Sequence, residues 1–138
     1  MSRFVTPDTQ TLQLSQGDTL VVKKRLNAGE RRQMFSAMYR ETAAGALKVN
    51  PIKTGLSTIL GFLLDWSFRD DAGKPVVIRD QPPEVVTAAL DALEPESFEE
   101  VLRAIEAHEA AMTAEREQAK NAQGGGKQLP VISPSPSS

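Results

Sequence analysis

The chain has 138 residues, is 40% hydrophobic and 25% charged, and carries a formal net charge of −2, the profile of one ordinary globular domain. That balance argues against general nucleic-acid binding, because neutralising phosphates needs concentrated Lys and Arg. Zero cysteines exclude disulfide frameworks, thiolate metal sites and Cys nucleophiles together.

Residues 1–10 read as a lead-in with no apolar h-region, so no signal peptide is expected. Residues 11–118 read as a single α+β domain and residues 119–138 as a flexible Gly/Pro/Ser-rich tail. The run TLQLS alternates at Leu12 and Leu14, Gln16-Gly17-Asp18 supplies a turn, and TLVVKKRL returns as a β-branched run. That combination predicts an N-terminal β-hairpin. Asn27 with Glu30 three positions on forms a capping-box pattern. It predicts a helix of roughly Ala28 to Ala44, stopped at Gly45, with Met34, Phe35, Met38 and Tyr39 on one face.

Leu47 to Gly55 reads as an irregular link, since Asn50-Pro51 disfavours helix at Asn50. Leu56 to Phe68 fits either a strand face or a short helix followed by a strand from Leu64 to Phe68. Asp70-Asp71-Ala72-Gly73 is a good turn, and Val76-Val77-Ile78 a good returning strand, which Pro75 places at a sheet edge. Trp66 and Phe68 are assigned to the core. Leu56 to Trp66, the longest apolar stretch, falls short of the roughly 20 residues needed to cross a bilayer, so a soluble, intracellular protein without membrane partners is expected.

Pro82-Pro83 opens a helix bearing Val85, Val86, Ala89, Leu90 and Leu93. Pro95 opens another, with Phe98, Val101, Leu102 and Ile105 as its apolar stripe and glutamates at its N-terminal end, where the macrodipole favours them. Past His108 the stripe thins to Met112. Gly124-Gly125-Gly126 reads as a linker ending the ordered part, and the tail after it as disordered. The expected class is α+β: an N-terminal hairpin, a second hairpin-like Trp/Gly segment and three or more helices.

Few residues suggest chemistry. His108 is the only histidine and lacks the second histidine of an HExxH zinc helix, so a packing or helix-surface role is favoured. Asp70 and Asp71 suit a turn, and Asp65, which interrupts an apolar run, suits a structural hydrogen bond better than acid–base work. Lys23, Lys24, Arg25, Arg31 and Arg32 form the one basic concentration. A solvated sheet edge is the first reading for it, an acidic protein segment the second and nucleic acid the last. No catalytic residue, metal ligand or cofactor is expected. Met34, Met38, Val101, Leu102, Ile105 and Met112 are the candidates for packing or partner contact, the methionines because they adapt to irregular surfaces.

The segments VVKKRLNAGERRQMF, LLDWSFRDDAGKPVVIRD and LEPESFEEVLRAIEAHE, particularly Gly29-Glu30-Arg31, Asp65-Trp66-Ser67 and Gly73-Lys74-Pro75, resemble the tail assembly chaperones of long-tailed bacteriophages and their prophages. The resemblance covers roughly Thr19 to Glu109. It implies a non-catalytic protein of the host bacterial cytoplasm that binds the long helical tape measure protein and keeps it soluble while tail tube subunits assemble. It also implies absence from the finished particle. The tail tube protein and further copies of the chain itself are additional partner candidates. Many members of that family are made in two lengths by a ribosomal frameshift, and Gly126-Lys127 fits the Gly-Lys that the slippery heptamer encodes. Two other classes remain open: a minor tail protein retained in the virion, and a small DNA-binding regulator using the basic patch.

Overall fold

The computed structural model describes residues 3–41, 47–49 and 51–128, with side chains over 3–38 and 54–121. In chain order the elements are β1 (Thr9–Gln13), a 3-10 turn (Ser15–Gly17), β2 (Thr19–Lys23), α1 (Ala28–Met38), β3 (Tyr39–Glu41), β4 (Leu47–Val49), α2 (Pro51–Phe62), β5 (Leu63–Trp66), α3 (Pro83–Asp91) and α4 (Pro95–Gln128). Two compact units divide the chain, Met1–His108 and Glu109–Ser138. The class is α+β, as the residue pattern predicts.

The N-terminal hairpin is present. β1 and β2 pair antiparallel from Thr9↔Lys23 to Gln13↔Thr19, and the turn between them holds Gln16 and Gly17 at φ 61° and 79°. β5 then adds on the far side of β2, so the sheet order is β1-β2-β5 and β2 is its central strand. Lys23, the one lysine of β2, therefore lies on the central strand and not on an edge strand, contrary to the first reading of the basic run.

The strand β5 carries the sheet's one recorded irregularity. Val21 pairs with Asp65 but Val22 pairs with Leu63, which leaves Leu64 as the extra residue of a bulge. Because of it, Leu63 and Trp66 both reach the buried face although they are three apart, and both are buried. The simple alternation Leu64, Trp66, Phe68 cannot hold through such a bulge.

Two further expectations are corrected. The helix α1 ends at Met38, not Ala44, and Tyr39–Glu41 pairs antiparallel with Leu47–Val49 as a second small sheet. Backbone pairing by Tyr39, Leu47 and Val49, good strand formers, wins there over continued helix; Gly45 lies outside the described residues. The irregular link to Gly55 is instead strand and then helix. α2 begins at Pro51, a residue that a first helical turn tolerates because its missing N–H would have no partner anyway. The second hairpin-like segment is present and short: Arg69 and Pro75 bridge antiparallel, the Val76 N–H donates to the Phe68 carbonyl and the Asp70 N–H to the Lys74 carbonyl. Pro75 faces Arg69 at a non-hydrogen-bonded position, where the ladder asks for no N–H, and the carbonyl of Val76 accepts the Trp66 indole N–H at 2.8 Å.

The two C-terminal helices start where their prolines place them. α4 stays helical to Gln128, across the glycines read as a linker within the 119–138 tail. Glycine in a helix costs about 1 kcal/mol relative to alanine but does not forbid the conformation. Residues 129–138 lie outside the described residues.

The core gathers one face of every layer of the first unit: Leu20 and Val22 of β2, Met34 of α1, Ile59 and Phe62 of α2, Leu63 and Trp66 of β5, Ile78, Val86 and Leu90 around α3, and Val101 and Ile105 of α4. Each such side chain contributes roughly 1.5–3 kcal/mol when fully withdrawn from water. The other sheet face carries Thr11, Val21 and Asp65 in register, and is more polar. Asp65 sits on that face by alternation, which explains the interruption of its apolar run.

Candidate partner-binding surface

The basic run is the densest charge in the sequence, and the fold disperses it. Lys23 closes β2 and its ammonium lies 2.8 Å from Glu30 of α1, with both side chains about one-third exposed (33% and 35%). Lys24 is held by its backbone, its N–H donating to the Asp8 carbonyl at 2.9 Å. Arg31 stacks over the Phe35 ring at 5.5 Å, a cation–π arrangement, and Arg32 is exposed.

Glu30 has three duties. It pairs with Lys23, its Oε1 accepts the Asn27 N–H at 3.0 Å, and its own N–H donates to Asn27 Oδ1 at 2.8 Å. This is the reciprocal capping box that the sequence spacing predicts. The hydrogen bond from Lys23, then that from the Asn27 amide, hold the Glu30 carboxyl below its ordinary value, against a smaller upward pull from burial. Beside this pair lies an open cleft of about 440 Å³ whose lining includes Val5, Asp8, Arg25 and Leu64. Its floor is a satisfied ion pair, so it offers mixed apolar and polar contact rather than an uncompensated charge.

A second open cleft, of about 570 Å³, includes Asp18, Trp66, Ser67 and Arg69. Its polar groups are consumed by closing the sheet. The Thr19 N–H donates to Ser67 Oγ, the Ser67 hydroxyl donates to Asp18 Oδ1, both at 2.9 Å, and the Ser67 N–H reaches the Thr19 carbonyl. Ser67 thus clasps the start of β2 to the end of β5.

The histidine is equally committed. His108 is buried, its Nε2 lies 3.1 Å and 3.0 Å from the carbonyl oxygens of Lys23 and Lys24, and its ring meets Phe62 edge-on at 5.8 Å. Since both partners are acceptors, Nε2 bears the proton. Asp65 accepts the N–H of Trp66 at 2.9 Å and stands 3.9 Å from Arg79. Asp70 Oδ1 accepts the N–H groups of Ala72 and Lys74, leaving Asp71 as an exposed turn residue. Among the described residues, no three His, Cys, Asp or Glu side chains gather as a metal site.

The six residues nominated for packing or partner contact separate by burial. Met34, Val101 and Ile105 are buried in the core; Met38 and Leu102 are half-buried against it. Met112 is half-buried and belongs to the second unit. Trp66 is in the core, and Phe68 packs on it with ring centroids 4.9 Å apart. The large apolar side chains left facing solvent among the described residues are others: Phe4, Val5, Phe35, Val77 and Val85, with Val77 60% exposed. Val77 was findable, being the outward member of an alternating triplet between half-buried Val76 and buried Ile78. Phe35 was not separable from Met34 by periodicity alone.

No family model matches the chain, and no curated protein or solved structure matches it either. Among the described residues, no helix is long and apolar enough to cross a membrane.

Proposed function

We propose that the chain is a non-catalytic tail assembly chaperone of a long-tailed bacteriophage or prophage, working in the host cytoplasm to cover apolar stripes of a helical tape measure protein while the tail tube assembles. The sequence resemblance over Thr19 to Glu109 supplies the family. The observation that carries the reading is the exposure of Val77 and Val85 within and just after the segment LLDWSFRDDAGKPVVIRD, on a frame braced by the Trp66–Val76 hydrogen bond. Exposed apolar side chains on a rigid support suit an amphipathic helix laid against them. Several copies along one long client would add avidity.

The test is to look for a long helical reading frame in the genes beside this chain's own and to co-express its product with the chain. The chain should raise the soluble fraction of that protein severalfold, and the double variant Val77→Asp, Val85→Asp should lose the effect while remaining folded. A client equally soluble with and without the chain overturns the proposal. Stoichiometric recovery of the chain in purified particles would replace it with a virion component. The coding DNA near Gly126-Lys127 tests the frameshift separately: a slippery run is expected there.

A further inference from the structure

We propose that β1 is an interface to a second copy of this chain, the two β1 strands pairing antiparallel about a two-fold axis at Thr11. The strand β1 is an outer strand of its sheet, and Thr9, Gln10, Thr11 and Gln13 are exposed. The Lys24 N–H bonds the Asp8 carbonyl and the Leu14 N–H bonds the Asp18 carbonyl. With the register Thr9↔Lys23 to Gln13↔Thr19, the alternation of an antiparallel ladder turns the backbone groups of residues 8, 10, 12 and 14 toward β2. Those of Thr9, Thr11 and Gln13 therefore point outward.

Two carboxylates close the ends of this edge. Asp8 Oδ1 accepts the Thr9 N–H at 2.8 Å. Glu100 accepts the Ser15 N–H at 2.6 Å and the Ser15 hydroxyl at 2.9 Å. Between them stand the N–H groups of Thr11 and Gln13 and the carbonyls of Thr9, Thr11 and Gln13. That set is self-complementary. About an axis at Thr11, the two Thr11 residues exchange N–H and C=O reciprocally, and each Gln13 N–H reaches the Thr9 carbonyl of the second copy. Neither carboxylate has to release its amide.

The strand's chemistry selects the occupant. Edge strands are ordinarily guarded by charge, proline or a bulge, and TQTLQ contains no charged residue or proline, while its pairing with β2 runs in unbroken register. A two-fold axis sets each residue against its own kind or a near neighbour, so a charged edge would repel its copy where this one does not. Thr11 against Thr11 is a favourable cross-strand pair, and the half-buried Leu12 of each copy extends the apolar face of the other's sheet. A helical partner has no free backbone row to offer this edge, so the inference is independent of the proposed function. One strand pair is small for an interface, and the dimer is accordingly weak and concentration-dependent.

Sedimentation velocity on the full chain from low to high micromolar concentration should show a reversible monomer–dimer equilibrium. Thr11→Lys places two ammonium groups at the axis, and Thr11→Pro removes an outward N–H. Each should weaken association about tenfold or more with an unchanged far-UV circular dichroism spectrum at low concentration. If the proline variant unfolds, the lysine variant decides. The chain has no cysteine, so a disulfide formed by Thr11→Cys must join two copies. Hydrogen-bonded antiparallel partners have Cα atoms about 5.5 Å apart, within disulfide reach, whereas Ser36→Cys on exposed α1 should not cross-link. A monomer at every concentration, a dimer indifferent to Thr11→Lys, or equal cross-linking at both positions overturns the proposal.

Discussion

The imidazole of His108 on α4 reaches the carbonyl of Lys24, 84 positions earlier in the chain, at 3.0 Å. Its proton is shared with the Lys23 carbonyl at 3.1 Å, so one buried side chain holds the end of the central strand against a helix. His108→Phe keeps an aromatic ring, somewhat larger than imidazole, against Phe62 but removes the donor. An unsatisfied buried acceptor costs about 1–3 kcal/mol, and His108→Phe should lose that much in urea unfolding. An unchanged midpoint would mean that water serves those carbonyls equally well.

The capping box should set an acid-sensitive part of stability. The Glu30 carboxyl is held below its ordinary value of roughly 4.3, chiefly by Lys23 and then by the Asn27 amide. The native state thus binds fewer protons than the unfolded chain between the two values, and stability rises with pH there. The contribution is complete above the ordinary value and disappears as pH falls through the native one. Glu30→Gln keeps an acceptor for the Asn27 N–H and discards the charge. Its deficit should be below about 1 kcal/mol at neutral pH, since the pair is partly exposed, and should close as pH falls through the native value. A deficit independent of pH would assign it to something other than the ion pair.

The same residues show what a sequence can reveal about this fold. Asn27 and Glu30 were legible because capping is a local bargain struck within three residues. The hairpin, the proline-led starts of α3 and α4, and the core position Trp66 were legible for similar reasons: turn chemistry and periodicity act over a few positions. What stayed hidden depends on partners far along the chain. Nothing near Lys23 says that β5 will lie beside β2, and nothing near Leu64 says that it will be squeezed out as a bulge. Whether Val101 and Met34 pack or face a partner is likewise settled by α2 and β2, not by their own helices. The donation of the Ser67 Oγ proton to Asp18 was invisible for the same reason.

The turn after β5 should behave as a single unit. Asp70 Oδ1 accepts the N–H groups of Ala72 and Lys74, both at 2.9 Å, the Asp70 N–H donates to the Lys74 carbonyl, and Gly73 has φ 79°. Asp70→Ala removes a charged acceptor serving two amides, and Gly73→Ala forces a Cβ into the left-handed region, at about 1–2 kcal/mol. Each alone should lower stability by about 1–2 kcal/mol. The double variant should cost less than the sum, because either change already frees the turn. Additive losses in a double-mutant cycle, followed by the fluorescence of Trp66, would show two independent sites.

Gly61 of α2 faces Met34 of α1 so closely that a Cβ there would lie 2.8 Å from the Met34 sulfur and 3.1 Å from its Cγ. Two effects of opposite sign therefore meet in Gly61→Ala. Alanine gains at most about 0.8–1 kcal/mol over glycine in a helix, and less at the second-last residue of α2, while overpacking costs typically 1–3 kcal/mol. Because Met34 is buried at 4% exposure, its side chain has little room to yield, and the clash should win by about 1 kcal/mol. Met34→Ala alone should cost about 2–5 kcal/mol through the cavity it opens. In that background the obstruction is gone, and adding Gly61→Ala should now stabilise the protein by the helix term. The check is a reversal of sign between the two backgrounds in denaturant unfolding. The same sign in both would mean that close approach of α1 is not the reason for glycine at this position.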